Sequence, residues 1–253
     1  MIRFIVIAAI AFGVSACKQK EEQQTESKPG PTTKAPTKPV AAKPTDSPPK
    51  SLKGHMRDHF QKVRDVQIAV VHNDLDAAKQ AAKWIAEHKG HDSIEEWYGH
   101  IEVMRDAATN LQAADDIPTA AKLAATLAGQ CASCHESLTA IATFEWTEKP
   151  KPVAGDIKSH MAMHMWGAER LWEGIVGPSD SHWLDGAEAF ANDPLHAGEI
   201  KKGEKVPKDV ADLALKIHQL GAAAKSLETT DERVALYGEM LATCAGCHAK
   251  TRK

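Results

Sequence analysis

Cys131-Ala-Ser-Cys134-His135 and Cys244-Ala-Gly-Cys247-His248 are two copies of one motif, and each ends an alanine-rich helical stretch. Two thiols three positions apart can form thioether bonds to the two vinyl groups of one haem, and the next histidine is then placed under the iron. The pattern CxxCH is the usual sequence sign of c-type haem attachment. The sequence therefore predicts two haem c groups, with axial ligands His135 and His248 and attachment points Cys131, Cys134, Cys244 and Cys247.

Other uses of paired cysteines fit this chain less well. A disulfide or a thioredoxin-like redox site would leave both trailing histidines unexplained, and no βαβ pattern surrounds either motif. Two CxxC pairs can also form a four-cysteine zinc ribbon, but the pairs in such sites lie closer in sequence. Here 109 residues separate Cys134 from Cys244, which disfavours one shared zinc site.

The fifth cysteine, Cys17, indicates the compartment. Residues 1–16 contain a short positive start and an apolar run too short to span a membrane, as in a secretory signal peptide. The run ends in Val14-Ser15-Ala16-Cys17, which resembles the lipobox of bacterial lipoproteins, with valine replacing the usual leucine. This resemblance implies an acylated Cys17 and a lipid-anchored protein of the periplasm or cell envelope. In enterobacterial lipoproteins an aspartate directly after the acylated cysteine favours retention in the inner membrane. This chain has Lys18 there, so the resemblance favours the outer membrane. A plain secretory signal peptide is the alternative.

Residues 17–50 are expected to be a disordered tether between the lipidated cysteine and the folded part. From residue 18 onward they contain seven of the 13 prolines and no aromatic residue. Such a segment buries too little apolar surface to offset the entropy of ordering it. The formal net charge of the chain is −3, so its charge gives no support for nucleic-acid binding.

The rest of the chain is an internal repeat. Residues 51–146 and 155–253 are interpreted as two domains joined by the linker 147–154, which contains Pro150 and Pro152. Each domain begins with a His-Met-x-x-His segment and ends with CxxCH. A repeat of about 100 residues is too long for a solenoid unit and suits duplicated domains.

Helical periodicity runs through both copies, and no segment has sustained strand-like alternation. Asn73-Asp74 and Asp116 with Pro118 are start signals for the second and fourth helices. Short connections between four helices per copy predict two tandem antiparallel four-helix bundles in an all-α protein. After the first helix of each copy, further helices are predicted near 75–87, 94–113, 181–191, 207–226 and 230–248.

The position of CxxCH on the last helix resembles the class II cytochromes c, which include the cytochrome c prime family. The resemblance covers residues 51–251 as two tandem copies. It implies one haem in each four-helix bundle, with the sixth position of the iron facing the first helix. Members with a sixth ligand commonly use methionine there, whereas cytochrome c prime itself leaves the iron five-coordinate.

This chain departs from that family by repeating histidine on the first helix of both copies. The helical stripe turns Met56 and His59 inward and leaves His55 at its edge, and the second copy repeats this arrangement. We favour His59 and His164 as the sixth ligands. The alternatives are five-coordinate iron or ligation by Met56, Met161, His55 or His160.

The remaining histidines have no pattern shared between the copies. The histidines are interpreted as mostly surface residues: His72, His88, His91, His100, His182, His196 and His218. The tryptophans are interpreted as core anchors or haem neighbours: Trp84, Trp97, Trp146, Trp166, Trp172 and Trp183.

The function expected from these features is single-electron transfer between a donor and an acceptor redox protein, without enzymatic activity. A vacant or displaceable sixth position would instead favour binding of nitric oxide or carbon monoxide, as the family resemblance implies. A dihaem peroxidase is the third alternative, and it would need acid–base residues above an open iron. Pairing of the two bundles within the chain, or of two chains, is a further expectation from the same resemblance.

Overall fold

The computed structural model of the chain describes residues 52–88, 97–151, 153, 155–192 and 206–251. The regular elements in these ranges are α-helices and none is a strand, which confirms the prediction of an all-α protein. In chain order the helices are α1 Leu52–Val71, α2 Leu75–Glu87, α3 Tyr98–Gln112, α4 Ile117–Ser137, α5 Ile157–Val176, α6 Asp180–Ala191, α7 Lys208–Ala224 and α8 Thr230–Thr251.

Side-chain caps fix the starts of several helices. The carboxylate of Asp74 accepts a hydrogen bond from the backbone nitrogen of Ala77 at 2.9 Å, and Asp116 accepts one from Thr119 at 2.8 Å. These bonds satisfy backbone donors that have no partner within the first turn of a helix. Asn73 has a positive φ of 60°, which asparagine tolerates in a tight turn. Both predicted start signals are confirmed.

Helices that follow one another in each repeat pack against one another. In the first repeat α1 packs on α2, α2 on α3 and α3 on α4. In the second repeat α5 packs on α6, α6 on α7 and α7 on α8. Helices α1 and α5 each have 20 residues and carry His-Met-x-x-His at the same distance from their first residue. The repeat in the sequence is therefore also a repeat in helix order.

Two glycines allow α5 and α6 to cross at short range. A Cβ atom on Gly186 would lie 2.6 Å from the carbonyl oxygen of Gly167, and one on Gly174 would lie 2.6 Å from the backbone nitrogen of Trp183. Because these neighbours are backbone atoms, no side-chain rotation could make room. The crossing encloses the Trp183 indole, whose nitrogen donates to the carbonyl oxygen of Ala224 in α7 at 2.9 Å.

The last helices of the two repeats, α4 and α8, pack along each other. Small residues on α4 let the two backbones approach, and a Cβ atom on Gly238 would lie 3.1 Å from the Cα atom of Lys122. The fully buried alanines of α4 are Ala120, Ala121, Ala124, Ala125, Ala128 and Ala132. The apolar core is therefore continuous from one repeat to the other.

Tyr237 of α8 joins the first helices of both repeats. Its buried hydroxyl accepts a hydrogen bond from Nε2 of Gln67 in α1 at 2.6 Å. The same hydroxyl donates to the carbonyl oxygen of Ala168 in α5 at 2.9 Å. One side chain thus satisfies polar groups of three helices inside the shared core.

The described residues from Leu52 to Thr251 belong to one compact unit. Among the helices in the described ranges, none combines the length and the apolar character needed to cross a membrane. Several sequence predictions lie outside the described residues: the signal peptide 1–16, the lipidated Cys17, the tether 17–50, Pro152 in the linker, and His91 and His196.

Candidate cofactor-binding sites

Both CxxCH motifs lie near the C-terminal ends of the last helices. Residues 131–135 lie in α4, which ends at Ser137, and residues 244–248 lie in α8, which ends at Thr251. In a helix, residues three and four positions apart lie on one face. Each pair of thiols and its histidine are therefore presented together on one face.

The motif thiols are not paired as disulfides in the structure. Burial raises the pKa of both Cys131 and Cys244 to about 12. Burial also raises the pKa of the second cysteine in each motif, Cys134 and Cys247. Redox-active and nucleophilic cysteines have a lowered thiol pKa, so these sites lack the electrostatics of a thioredoxin-like centre.

The two motif histidines each bind the opposite repeat. Nδ1 of His135 donates a hydrogen bond to the carbonyl oxygen of Val176, the last residue of α5, at 2.7 Å. Nδ1 of His248 donates to the carbonyl oxygen of Val71, the last residue of α1, at 2.8 Å. A carbonyl can only accept, so Nδ1 carries the proton and Nε2 is the nitrogen that could bind a metal.

The first repeat contains a cavity of about 650 Å³ beside its motif. Cys131, Cys134 and His135 line one side of the cavity. The predicted distal residues of α1 also line it, namely His55, Met56 and His59. The volume is in the usual range for a site that encloses a sizeable ligand. The structure thus brings the predicted attachment residues and the predicted distal residues of the first repeat around one space.

His59 is a buried imidazole in that cavity wall. Its side chain is 7% exposed, and its Nε2 atom has no hydrogen-bond partner in the described part of the chain. Burial, and then the nearby His55 and His88, lower the pKa of His59 to about 3. The ring is therefore neutral at physiological pH, which is the form that binds metal ions.

His164 occupies the corresponding environment in the second repeat. Its Nε2 lies 2.9 Å from Nε2 of His160. Burial lowers the pKa of His164 well below its usual value, and the neighbouring His160, His218 and His248 lower it further.

The prediction that His55 and His160 lie at the edge of the inward-facing helical stripe is wrong. These side chains are only 5% and 4% exposed, whereas Met56 and Met161 are partly exposed. The reason is contact with histidines of neighbouring helices. His55 stacks on His88 with ring centroids 5.3 Å apart, and His160 lies against His218 at 5.6 Å.

His88 and His218 are site residues that the sequence interpretation missed, because it assigned them to the surface. Each completes a cluster of three histidines whose nitrogen atoms lie within 4.8 Å of one another: His55, His59 and His88, and His160, His164 and His218. The two added histidines come from different places, the end of α2 and the middle of α7. His218 lies on the buried stripe of α7, so its helical periodicity was a usable signal.

The tryptophans differ in their surroundings. Trp97 and Trp172 line the first cavity, and Trp183 is fully buried in the core. Trp146 is 80% exposed, so its interpretation as a core anchor is wrong. It follows α4 in a stretch without regular structure, where helical packing imposes no burial.

No family model, no curated protein and no solved structure matches this chain.

Proposed function

We propose that this protein is a dihaem c-type cytochrome that carries single electrons between redox proteins at the cell envelope. Cys131 and Cys134 would hold the first haem, and Cys244 and Cys247 the second. His135 and His248 would bind the two irons from one side. His59 and His164 are the proposed ligands on the other side.

One observation carries this proposal. In both motifs the histidine donates through Nδ1 to a helix-terminal carbonyl oxygen, at 2.7 Å and 2.8 Å. Histidines that bind a metal through Nε2 almost always have such a bond at the other nitrogen, because it fixes the tautomer and the ring orientation. A purely structural role would not require the same Nδ1 bond at two histidines that each directly follow a pair of thiols.

The first cavity supports the fit of a haem. It combines two thiols, an oriented imidazole and the unpartnered Nε2 of His59 around about 650 Å³. Its walls include apolar residues, namely Ile101 of α3, Leu138 directly after α4 and Trp172 of α5. A haem needs apolar walls around its planar ring and a few ligand atoms directed at its iron.

We also propose that the eight helices form two four-helix bundles of the class II cytochrome type. The sequential packing of α1 to α4 and of α5 to α8 supports this proposal. In this arrangement the bundles are joined through α4 and α8, and each proximal histidine is oriented by the neighbouring bundle.

Electron transfer follows from ligands on both sides of each iron. When bound, each haem would supply a one-electron ferric–ferrous couple. His59 and His164 remain neutral near pH 7 because they are buried, so both can act as ligands throughout the physiological range. Filled axial positions leave no site for a substrate. The lipid on Cys17 and the tether would keep the redox unit at the membrane surface.

Divalent-metal binding is a second candidate function, favoured by the two histidine clusters. Imidazole nitrogens are common ligands of Zn²⁺ and Cu²⁺. Nε2 of His59 cannot bind both such an ion and a haem iron, so the two assignments exclude each other at that atom. Elemental analysis of the dialysed holoprotein separates them: iron alone supports the cytochrome, and equimolar zinc or copper supports the second candidate.

Spectroscopy of the full chain, matured in a host that attaches haem c, tests the electron-transfer function. We expect low-spin ferric signals in electron paramagnetic resonance and no rapid carbon monoxide binding after reduction. High-spin ferric signals with rapid carbon monoxide uptake would contradict this function and favour gas binding.

A further inference from the structure

A buried ion pair lines the first cavity and has no part in the proposed haem attachment. Arg170 and Glu173 lie one turn apart on α5, and their charged groups are 2.6 Å apart. Their side chains are only 5% and 9% exposed. Both residues line the cavity that Cys131 and His135 also line. The pair therefore belongs to the second repeat but faces the cofactor site of the first.

The surroundings of Glu173 leave its charge poorly stabilised. Burial raises its pKa to about 7, and the nearby carboxylate of Glu169 adds to this effect. Arg170, and Arg64 from α1, oppose it without overcoming it. From α6, Nε2 of His182 lies 3.9 Å from the Glu173 carboxylate. Glu145, in the segment after α4, lines the same cavity.

The second cofactor site has no equivalent pair on α1. Val71 and Val176 are the last residues of α1 and α5, and both accept the motif-histidine bond, so the two helices align at that position. Counting back along α1, Asp65 corresponds to Arg170 and Ile68 to Glu173. Asp65 pairs with Lys62 at 3.1 Å in a partly exposed position, and isoleucine cannot ionise.

We propose that Glu173 takes up a proton when the first haem is reduced and releases it when that haem is oxidised, whereas the second haem lacks this coupling. The inference rests on the proposed function. In the reduction step, one electron from a donor redox protein converts ferric to ferrous iron, and one proton from solvent converts the Glu173 carboxylate to a carboxylic acid. Oxidation reverses both changes. An added electron near this buried carboxylate repels its negative charge, so reduction favours the protonated form.

The test is redox potentiometry of the holoprotein between pH 5 and 9, with haem content measured on the same samples. We expect one of the two midpoint potentials to fall as the pH rises through neutrality. The limit is about 59 mV per pH unit, the value for a tenfold change in a one-electron equilibrium. Glu173→Gln should abolish this slope and leave the other potential unchanged. Glu169→Gln is the matched control and should retain the slope, moved to lower pH, because the Glu169 carboxylate raises the pKa of Glu173.

A chain with Cys131→Ala and Cys134→Ala cannot attach the first haem and keeps only the second. Its single midpoint potential should not vary with pH in this range, which would assign the slope of the wild type to the first haem. Two potentials without a slope in the wild type, or a slope that persists in Glu173→Gln, would overturn the inference and leave the cytochrome function standing. Absence of covalent haem from the wild type would overturn both.

Discussion

His135 donates a hydrogen bond through Nδ1 to the carbonyl oxygen of Val176 at 2.7 Å, which joins the motif of one repeat to the first helix of the other. His248 and Val71 form the reciprocal bond at 2.8 Å. Each repeat therefore supplies the oriented acceptor for the motif histidine of its neighbour. Contacts that hold α1, α5 and α8 together should consequently stabilise both candidate sites.

Tyr237→Phe is expected to weaken the junction between the repeats. The substitution removes the hydroxyl that binds Gln67 and Ala168 and leaves both of these buried groups without that partner. A loss of about 1–3 kcal/mol in the free energy of unfolding follows, measured by urea denaturation. Tyr98→Phe is the control, because Tyr98 is 45% exposed and should change stability by less than about 0.5 kcal/mol. Equal effects of the two substitutions would refute the junction role.

Gly186→Ala should destabilise the α5–α6 crossing. The new methyl group would lie 2.6 Å from the Gly167 carbonyl oxygen, so the helices must move apart. Overpacking of this kind costs about 1–3 kcal/mol. Gly99→Ala in α3 is the opposite case, because no described atom outside its own stretch of helix lies within 4 Å of the added Cβ. It should stabilise the protein by about 0.5–1 kcal/mol through helix propensity. Thermal unfolding measures both effects. A shift of the unfolding midpoint in the same direction for both variants, relative to the wild type, would contradict this account.

His59→Ala should convert one of the two haems from low-spin to high-spin ferric iron. The reason is that His59 is the proposed sixth ligand and alanine offers no donor atom. Absorption and electron paramagnetic resonance spectra measure the change. His72→Ala, at an exposed histidine beyond the end of α1, is the control and should leave both spectra unchanged. An unaltered low-spin spectrum in His59→Ala would exclude this residue as a ligand.

Acid should destabilise the fold partly through His59. Its folded pKa of about 3 is below the unfolded value of 6.5, so unfolding takes up a proton between these two values. The stabilising contribution is complete above pH 6.5 and decreases as the pH falls toward 3. From pH 7 to 5 it should decrease by about 2 kcal/mol. The comparison uses the chain with Cys131→Ala and Cys134→Ala, which cannot attach the first haem. In that background urea denaturation of His59→Gln should show a smaller decrease than the parent chain, and His72→Gln should match the parent chain. A pH dependence unchanged by His59→Gln would contradict this assignment.

The sequence predicted the helices well because their signals are local. Asp74 and Asp116 cap helices through bonds to residues three positions away, and the periodic apolar residues mark the buried faces. Those signals do not specify which helix a buried face meets. The alanine face of α4 could have packed within its own repeat, and only the structure shows that it lies along α8.

The candidate site was predicted where its residues follow a linear motif, and missed where they do not. CxxCH and His-Met-x-x-His could be recognised in the sequence, because helical spacing places the residues of each motif on one face. His88 and His218 join the clusters from unlike positions on different helices. Arg170 and Glu173 form an i,i+3 charged pair, a pattern typical of a solvent-exposed face, yet packing of α4 and α6 against α5 buries them.

The most direct test of the central claim is the intact mass of the chain after production with the haem c maturation machinery, together with its pyridine haemochrome spectrum. We predict two covalently attached haems in the wild type. We predict one haem when Cys131 and Cys134 are both alanine, and one when Cys244 and Cys247 are both alanine. A wild-type mass equal to that of the processed, lipidated polypeptide alone, with no haemochrome band, would contradict the account.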